Sequence, residues 1–107
     1  MHIDIRYTSI MIKSFGNKTA EHLFHGKTSR EARKLPVELH AKARRQFDQL
    51  NAAVQLNDLK IPPGNKLERL KGNLAAYHSI RINDQWRMIF IWRADGIYEV
   101  AILDYHK

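Results

Sequence analysis

The stretch "IPPGN", residues 61–65, divides this chain into two regimes. Two prolines and a glycine so close together remove backbone donors and fix φ, so neither a helix nor a central strand can run through them. Before the break, Leu39, Ala43, Phe47, Leu50 and Val54 recur at intervals of four, four, three and four. That spacing makes one apolar stripe and predicts a helix over 37–54, entered at Pro36. A shorter helical segment is expected from Thr19 to His25, ended by Gly26. After the break the period becomes two. "LERLKGN" reads as a short strand running into a turn at Gly72-Asn73, and "AYHSIRIN" alternates. Asn83-Asp84-Gln85 turns into "WRMIFIWRA", and Asp95-Gly96 is a hairpin signal into "IYEVAILDYH". A helical stripe and one face of a meander bury each other as two layers. The expected class is α+β, two N-terminal helices packed on an antiparallel sheet of about four strands.

At 107 residues the chain has the length of one domain with one core. Residues 1–10 precede a second methionine, Met11, and read as an N-terminal extension to a domain over 11–107. Within it Ile3, Ile5 and Tyr7 alternate with polar residues, so the extension could pair as an edge strand. "MIKSF" from Met11 reads as a short strand of its own. The chain has no cysteine, which excludes a disulfide framework and a zinc–thiolate site. It has no run of about 20 apolar residues to span a membrane. "MHIDIRYTSI" lacks the cationic start and apolar stretch of a signal peptide, so a cytoplasmic protein is expected. Eighteen Lys and Arg against eleven acids leave a net +7. A surplus of that sign points to a polyanionic partner, most often nucleic acid. Lys42, Arg44 and Arg45 lie off the apolar stripe, and "KTSREARKL" before it adds Arg30, Arg33 and Lys34.

Alternation sorts the faces of the last two strands. Arg87 shares a face with Ile89 and Ile91, while Trp86, Met88, Phe90 and Trp92 take the other. In the final strand Val100, Ile102, Asp104 and His106 share one face, and Ala101, Leu103 and Tyr105 the opposite one. Arg87 and Asp104 each lie eight residues from Asp95 and Gly96 respectively, which puts them at the same end of the hairpin. Lys71 joins them if its strand pairs nearby. Arg87, Asp104, Tyr105, His106 and Lys71 contain what cleavage of RNA needs without a metal. Imidazole and carboxylate move protons, Arg and Lys offset phosphate charge, and a tyrosine stacks on a base or binds phosphate. The plainer reading stays open beside it: Tyr105 and His106 as a polar strand end, with Arg87 capping a sheet edge. His22 and His25, three apart, permit metal binding but have no third ligand nearby, so no metal site or cofactor is expected. His40 reads as a solvated helix residue, His78 as a half-buried strand residue, and Trp86 and Trp92 as core against the Phe47 stripe.

From Met11 to His106 the chain resembles the HigB-type toxins, a branch of the RelE/ParE superfamily of bacterial toxin–antitoxin systems. The features that carry the resemblance are "MIKSF", "LNDLKIPPGNKLERLKG", "HSIRINDQWRMIF" and the terminal "DYH". The resemblance implies a RelE-like fold and ribosome-dependent cleavage of mRNA in the decoding site, which inhibits translation. It also implies a helix-turn-helix antitoxin of the HigA type, with operator DNA bound only through the antitoxin complex. It places the catalytic set on Lys71, Arg87, Asp104, Tyr105 and His106. Asp104 and His106 would manage protons, Arg87 and Lys71 the phosphate charge, and Tyr105 the nucleotide's orientation. Arg30, Arg33, Lys34, Lys42, Arg44 and Arg45 are then expected to contact RNA or the ribosome. Some members carry a histidine where this chain has Glu68, which could act as a base but would oppose phosphate. The alternative is a non-cleaving binding module of the same fold that acts mainly with its antitoxin as a transcriptional corepressor.

Overall fold

The computed structural model describes residues 11–105. The expectations for the 1–10 extension and for His106 lie outside the described residues. Two helices, α1 (Lys18–Phe24) and α2 (His40–Ala52), precede four strands. The strands are β1 (Glu68–Arg69), β2 (His78–Arg81), β3 (Trp86–Arg93) and β4 (Gly96–Asp104), joined antiparallel in sequence order. The α+β meander read from the change of period is the observed architecture.

Each helix starts and stops for a local reason. Asn17 caps α1 by accepting the Ala20 N–H, and its amide also bonds both the C=O and the N–H of Ile102, tying the helix start to β4. Pro36 leads into a 3-10 turn at Val37–Leu39, which passes into α2. Ala43, Phe47 and Leu50 of the predicted stripe are buried in the core, and Leu39 packs against it. Val54 does not join them. The helix ends at Ala52, Ala53 turns extended and takes the buried place, and Val54 is 56% exposed. Asp58 accepts the N–H of Val54 and of Gln55, fixing the chain as it leaves the helix. The break itself is held from inside by Asn65, whose amide donates to Gln49 and to the Leu59 carbonyl.

The main core lies between α2 and one face of the sheet. Ile80, Ile82, Met88, Phe90, Ile97, Val100 and Ile102 meet Leu23, Phe47 and Leu50 there, with Trp86 and Trp92 packed at its margin. Burying each such side chain stabilises the fold by about 1.5–3 kcal/mol. The other face carries a small apolar floor of Leu70, Ile89 and Ala101, flanked by Leu74, Tyr77, Leu103 and Tyr105.

The β3–β4 hairpin differs from simple alternation in two ways. It turns on Ala94 and Asp95, because Gly96 already pairs with Arg93. A bulge then adds a residue to β4 between the Ile91–Tyr98 and Ile89–Ala101 pairs. Glu99 sits there at φ 56. The extra residue lets Ile97 and Val100, three apart, both enter the core. Beyond it, Arg87 pairs with Leu103, and Trp86 with Asp104. The "MIKSF" segment fastens this bulge, running parallel to β4 through Ile12–Ile97 and Phe15–Val100 bridges. Ser14 Oγ accepts from Glu99 N at 2.9 Å and donates to the Glu99 carboxylate at 3.0 Å. Gly16 is required in this strap, since a Cβ there would stand 2.9 Å from the Glu99 carbonyl oxygen.

Candidate functional site

Glu68, Ser79, Arg81 and Arg87 gather on the sheet face that the helices leave open. Arg87, at the start of β3, lies directly opposite Arg81 in β2, so two like charges face each other on one surface. They are turned apart. Arg81 pairs with Asp84 in the adjoining turn. Arg87 leans diagonally to Ser79, donating from Nη1 to Ser79 Oγ at 2.7 Å. Its Nη2 forms an ion pair with Glu68 Oε1 at 3.0 Å. Above this fork the Tyr105 ring lies 5.7 Å from the Arg87 guanidinium carbon. Glu68 and Ser79 are direct partners across β1 and β2, which is why both reach the same arginine.

Arg87 and Asp104 do lie at the same end of the hairpin, but on opposite faces. The bulge aligns Asp104 with Trp86, so Tyr105, Leu103 and Ala101 share the Arg87 face instead. Asp104 stands at the lip of the sheet, where Gln85 Nε2 donates to Oδ2 at 3.1 Å. The Gln85 carbonyl also accepts the Tyr105 N–H at 2.6 Å. The 83–85 turn therefore holds the end of β4 by one side-chain and one main-chain bond. Asn83 shapes that turn by accepting the N–H of Gln85 and of Trp86.

Lys71 is exposed just beyond the two-residue β1, at the start of the Gly72–Leu74 turn that carries Leu74 onto the apolar floor. β1 is shorter than the predicted strand because Gly72, at φ 62, turns the chain away. Glu68 is also exposed, and its carboxylate pairs with Arg87 as a counter-charge.

The second basic set is elsewhere. Arg30, Arg33, Lys34, Lys42, Arg44 and Arg45 belong to the helical layer, and the sheet separates them from Arg87. All are exposed except the half-buried Lys42, and Lys34 is paired with Glu31 at 3.0 Å. A cleft of about 310 Å³ opens in the same layer between Phe24, Arg44, Phe47, Asp48 and Asn51. It shares no residue with the Arg87 cluster.

The four described histidines have structural surroundings. His22 Nδ1 lies 2.7 Å from Ser29 Oγ, and His25 packs against Phe15 and Phe24. His40 Nε2 reaches the Leu35 carbonyl at 2.8 Å. His78 stacks on Phe90 on the core side of β2, and its Nδ1 is buried without a partner among the described residues. Burial, followed by the nearby Arg69 charge, pushes its pKa below the usual imidazole value.

Sequence reasoning missed Ser79 and Gln85. Ser79 shares its alternation face with Tyr77 and Arg81, so its place on the polar side was readable. Its contact with Arg87 was not, because that requires the β2–β3 register.

The chain has close relatives. A family model described as HigB-like toxin, the RelE-like toxin of the type II toxin–antitoxin system HigB, matches residues 13–106. Toxin HigB-1 of Vibrio cholerae serotype O1 (strain ATCC 39315 / El Tor Inaba N16961) is 38% identical over 97 residues, covering 91% of this chain and 99% of its own length. An uncharacterised protein of Haemophilus influenzae (strain ATCC 51907 / DSM 11121 / KW20 / Rd) is 39% identical over 74 residues, 69% of this chain and 72% of its own. The solved YoeB–YefM complex from Staphylococcus aureus contains a chain with a TM-score of 0.56 at 20% identity, covering 92% of this chain and 98% of that one. The YoeB dimer from the same organism gives 0.52 at 19% identity, covering 94% and 99%. These last two show a shared RelE-like fold.

Proposed function

The chain belongs to the HigB-like toxins of type II toxin–antitoxin systems, and on that footing we propose that it is a ribosome-dependent endoribonuclease that cuts mRNA in the decoding site and so stops translation. The observation that carries this reading is the Arg87 fork, held by Ser79 and Glu68 on an open sheet face beneath the Tyr105 ring. A guanidinium fixed in this way suits the scissile phosphate, whose charge grows as the ribose 2′-oxygen attacks phosphorus. Lys71, exposed just beyond β1, supplies a second positive charge in this reading.

Two proton transfers complete the reaction. The 2′-hydroxyl gives up its proton as the new P–O bond forms, and the departing 5′-oxygen gains one as its bond to phosphorus breaks. The products are a 2′,3′-cyclic phosphate and a free 5′-hydroxyl. Asp104, at the lip of the sheet, and His106, two residues later in the sequence, serve these transfers in this reading, and Glu68 is the carboxylate already beside Arg87. Tyr105 orients the nucleotide by stacking or by hydrogen bonding. An open face, rather than a closed cavity, fits a substrate that the ribosome itself holds in place.

The basic residues of the helical layer lie across the sheet from Arg87. They suit a second polyanionic surface, such as ribosomal RNA on the far side of the toxin. The partner antitoxin is a helix-turn-helix protein of the HigA type in this reading, and operator DNA is bound through the complex of the two.

The deciding experiment maps mRNA 5′ ends on ribosomes after adding the purified chain, with Asp104→Ala/His106→Ala as control. Cuts inside the decoded codon that vanish in the control are expected. Absence of cuts from the parent protein would instead favour the non-cleaving corepressor.

A further inference from the structure

We propose that Ser79 is the positioning residue that presets Arg87 for phosphate. The inference rests on the cleavage reading given above. Ser79 is fully buried, yet it is polar and stands opposite Ile89 of the apolar floor. Its hydroxyl has one described partner, the Arg87 guanidinium, at the short distance typical of a charge-assisted bond. Burying a hydroxyl is unfavourable unless it is bonded, so this contact accounts for serine at a position otherwise built for the apolar floor.

The register shows what the bond does. Arg81 and Arg87 are direct cross-strand partners, and left to themselves the two cations would repel across that pair. Asp84 draws Arg81 towards the turn, while Ser79 and Glu68 draw Arg87 the other way along the sheet. The two anchors take different nitrogens, Nη1 for Ser79 and Nη2 for Glu68. Together they engage two of the five N–H donors of a guanidinium whose side chain is 14% exposed. Glu68 is exposed and carries a negative charge, so an arriving phosphate competes with it directly. Ser79 is neutral and lies beneath the arginine, so it keeps its bond while substrate binds. Ser79 therefore holds the fork through the reaction, when Glu68 is displaced or exchanging a proton.

An arginine held this way needs no reorganisation when charge develops at phosphorus, so the gain falls on the chemical step rather than on association. Loss of the hydroxyl should act on the maximal cleavage rate. The experiment measures single-turnover cleavage of ribosome-bound mRNA over a range of protein concentrations for the parent, Ser79→Ala, Arg87→Ala and the double variant. Folding of each is checked by urea unfolding. Ser79→Ala is expected to lower the saturating rate about tenfold with the half-saturating concentration unchanged. The double variant should be no slower than Arg87→Ala alone, because Ser79 acts only through that side chain. In parallel, NMR of the Arg87 guanidinium should show faster rotation at its terminal nitrogens in Ser79→Ala.

A Ser79→Ala protein with the parent's saturating rate, while Arg87→Ala has lost activity, would overturn this inference alone. So would an additive loss in the double variant, or unchanged guanidinium rotation. Parent-like activity in Arg87→Ala would overturn the site itself and the inference with it.

Discussion

The two faces of the same four strands have been put to different uses. On the helix side, Ile80, Met88, Phe90, Val100 and Ile102 make a dry core with Phe47 and Leu50. On the open side, residues one position away along the strands give Ser79, Arg87 and Tyr105 over a floor of only Leu70, Ile89 and Ala101. Because neighbours along a strand point oppositely, the core and the proposed reactive surface share almost no residues. On the proposed reading the helix face should tolerate little change in volume, and the open face little change in charge.

That division predicts opposite outcomes for large changes on either side. Phe47→Ala removes a fully enclosed ring and should lower unfolding free energy by about 3–5 kcal/mol, read from urea denaturation. The cleavage rate of the molecules that remain folded should be unaltered. Arg87→Ala should cut the rate about a hundredfold, equivalent to about 2.7 kcal/mol in the transition state, and shift the urea midpoint far less than Phe47→Ala does. Should Arg87→Ala unfold the protein while Phe47→Ala abolishes cleavage by folded molecules, the two faces would have to exchange roles.

Most of the division was legible in sequence. The alternation of Trp86, Met88, Phe90 and Trp92 against Arg87, Ile89 and Ile91 is the observed sorting, and the helical stripe is right from Leu39 to Leu50. It failed at Val54 because a helical period says nothing about where the helix stops. It also failed to separate Asp104 from Arg87. Counting outward from a turn assumes one residue against one, and the bulge at Glu99 breaks that count. Nothing in "YEVA" announces the bulge, since a glutamate with positive φ has no glycine to mark it. The clue was the spacing of Ile97 and Val100, which strict alternation would have put on opposite faces. The site suffered more than the fold because its members come from all four strands, and each contact depends on a register. Ser79 against Arg87 is such a contact, and so is Glu68 against Arg87.

A smaller effect should sharpen a second contrast, between the Arg87 face and the basic helical layer. Replacing Arg33, Arg44 and Arg45 together by Gln should leave the saturating cleavage rate unchanged and weaken association with the ribosome. The loss should depend on salt: the slope of log affinity against log salt should become shallower by about 0.7–0.9 for each phosphate contact removed. Titrations at several salt concentrations, parent against triple variant, measure this. Equal slopes would detach these arginines from nucleic acid and leave Arg87 and Lys71 as the relevant positive charge.

The smallest expected effect concerns His78, which lies on the core side of β2 immediately before Ser79 on the open side. Its imidazole is stacked on Phe90, has a buried Nδ1 without a described partner, and has a depressed pKa from burial and from Arg69. Folding therefore favours the neutral ring, and the unfolded chain binds a proton more readily than the native one. Stability from this group is complete above the ordinary imidazole pKa of about 6.5 and falls as pH drops below it. His78→Phe keeps a flat ring against Phe90 and removes the proton, so its unfolding free energy should decline less than the parent's between about pH 7 and pH 5. The saturating cleavage rate of the variant, measured at pH 7.5, should equal that of the parent, because His78 faces away from Arg87. A parent and variant with parallel stability profiles would remove His78 as the source of acid sensitivity. A changed cleavage rate at unchanged stability would show that the sheet transmits packing changes from its core face to its reactive one, and the separation between the two faces would then be incomplete at this strand.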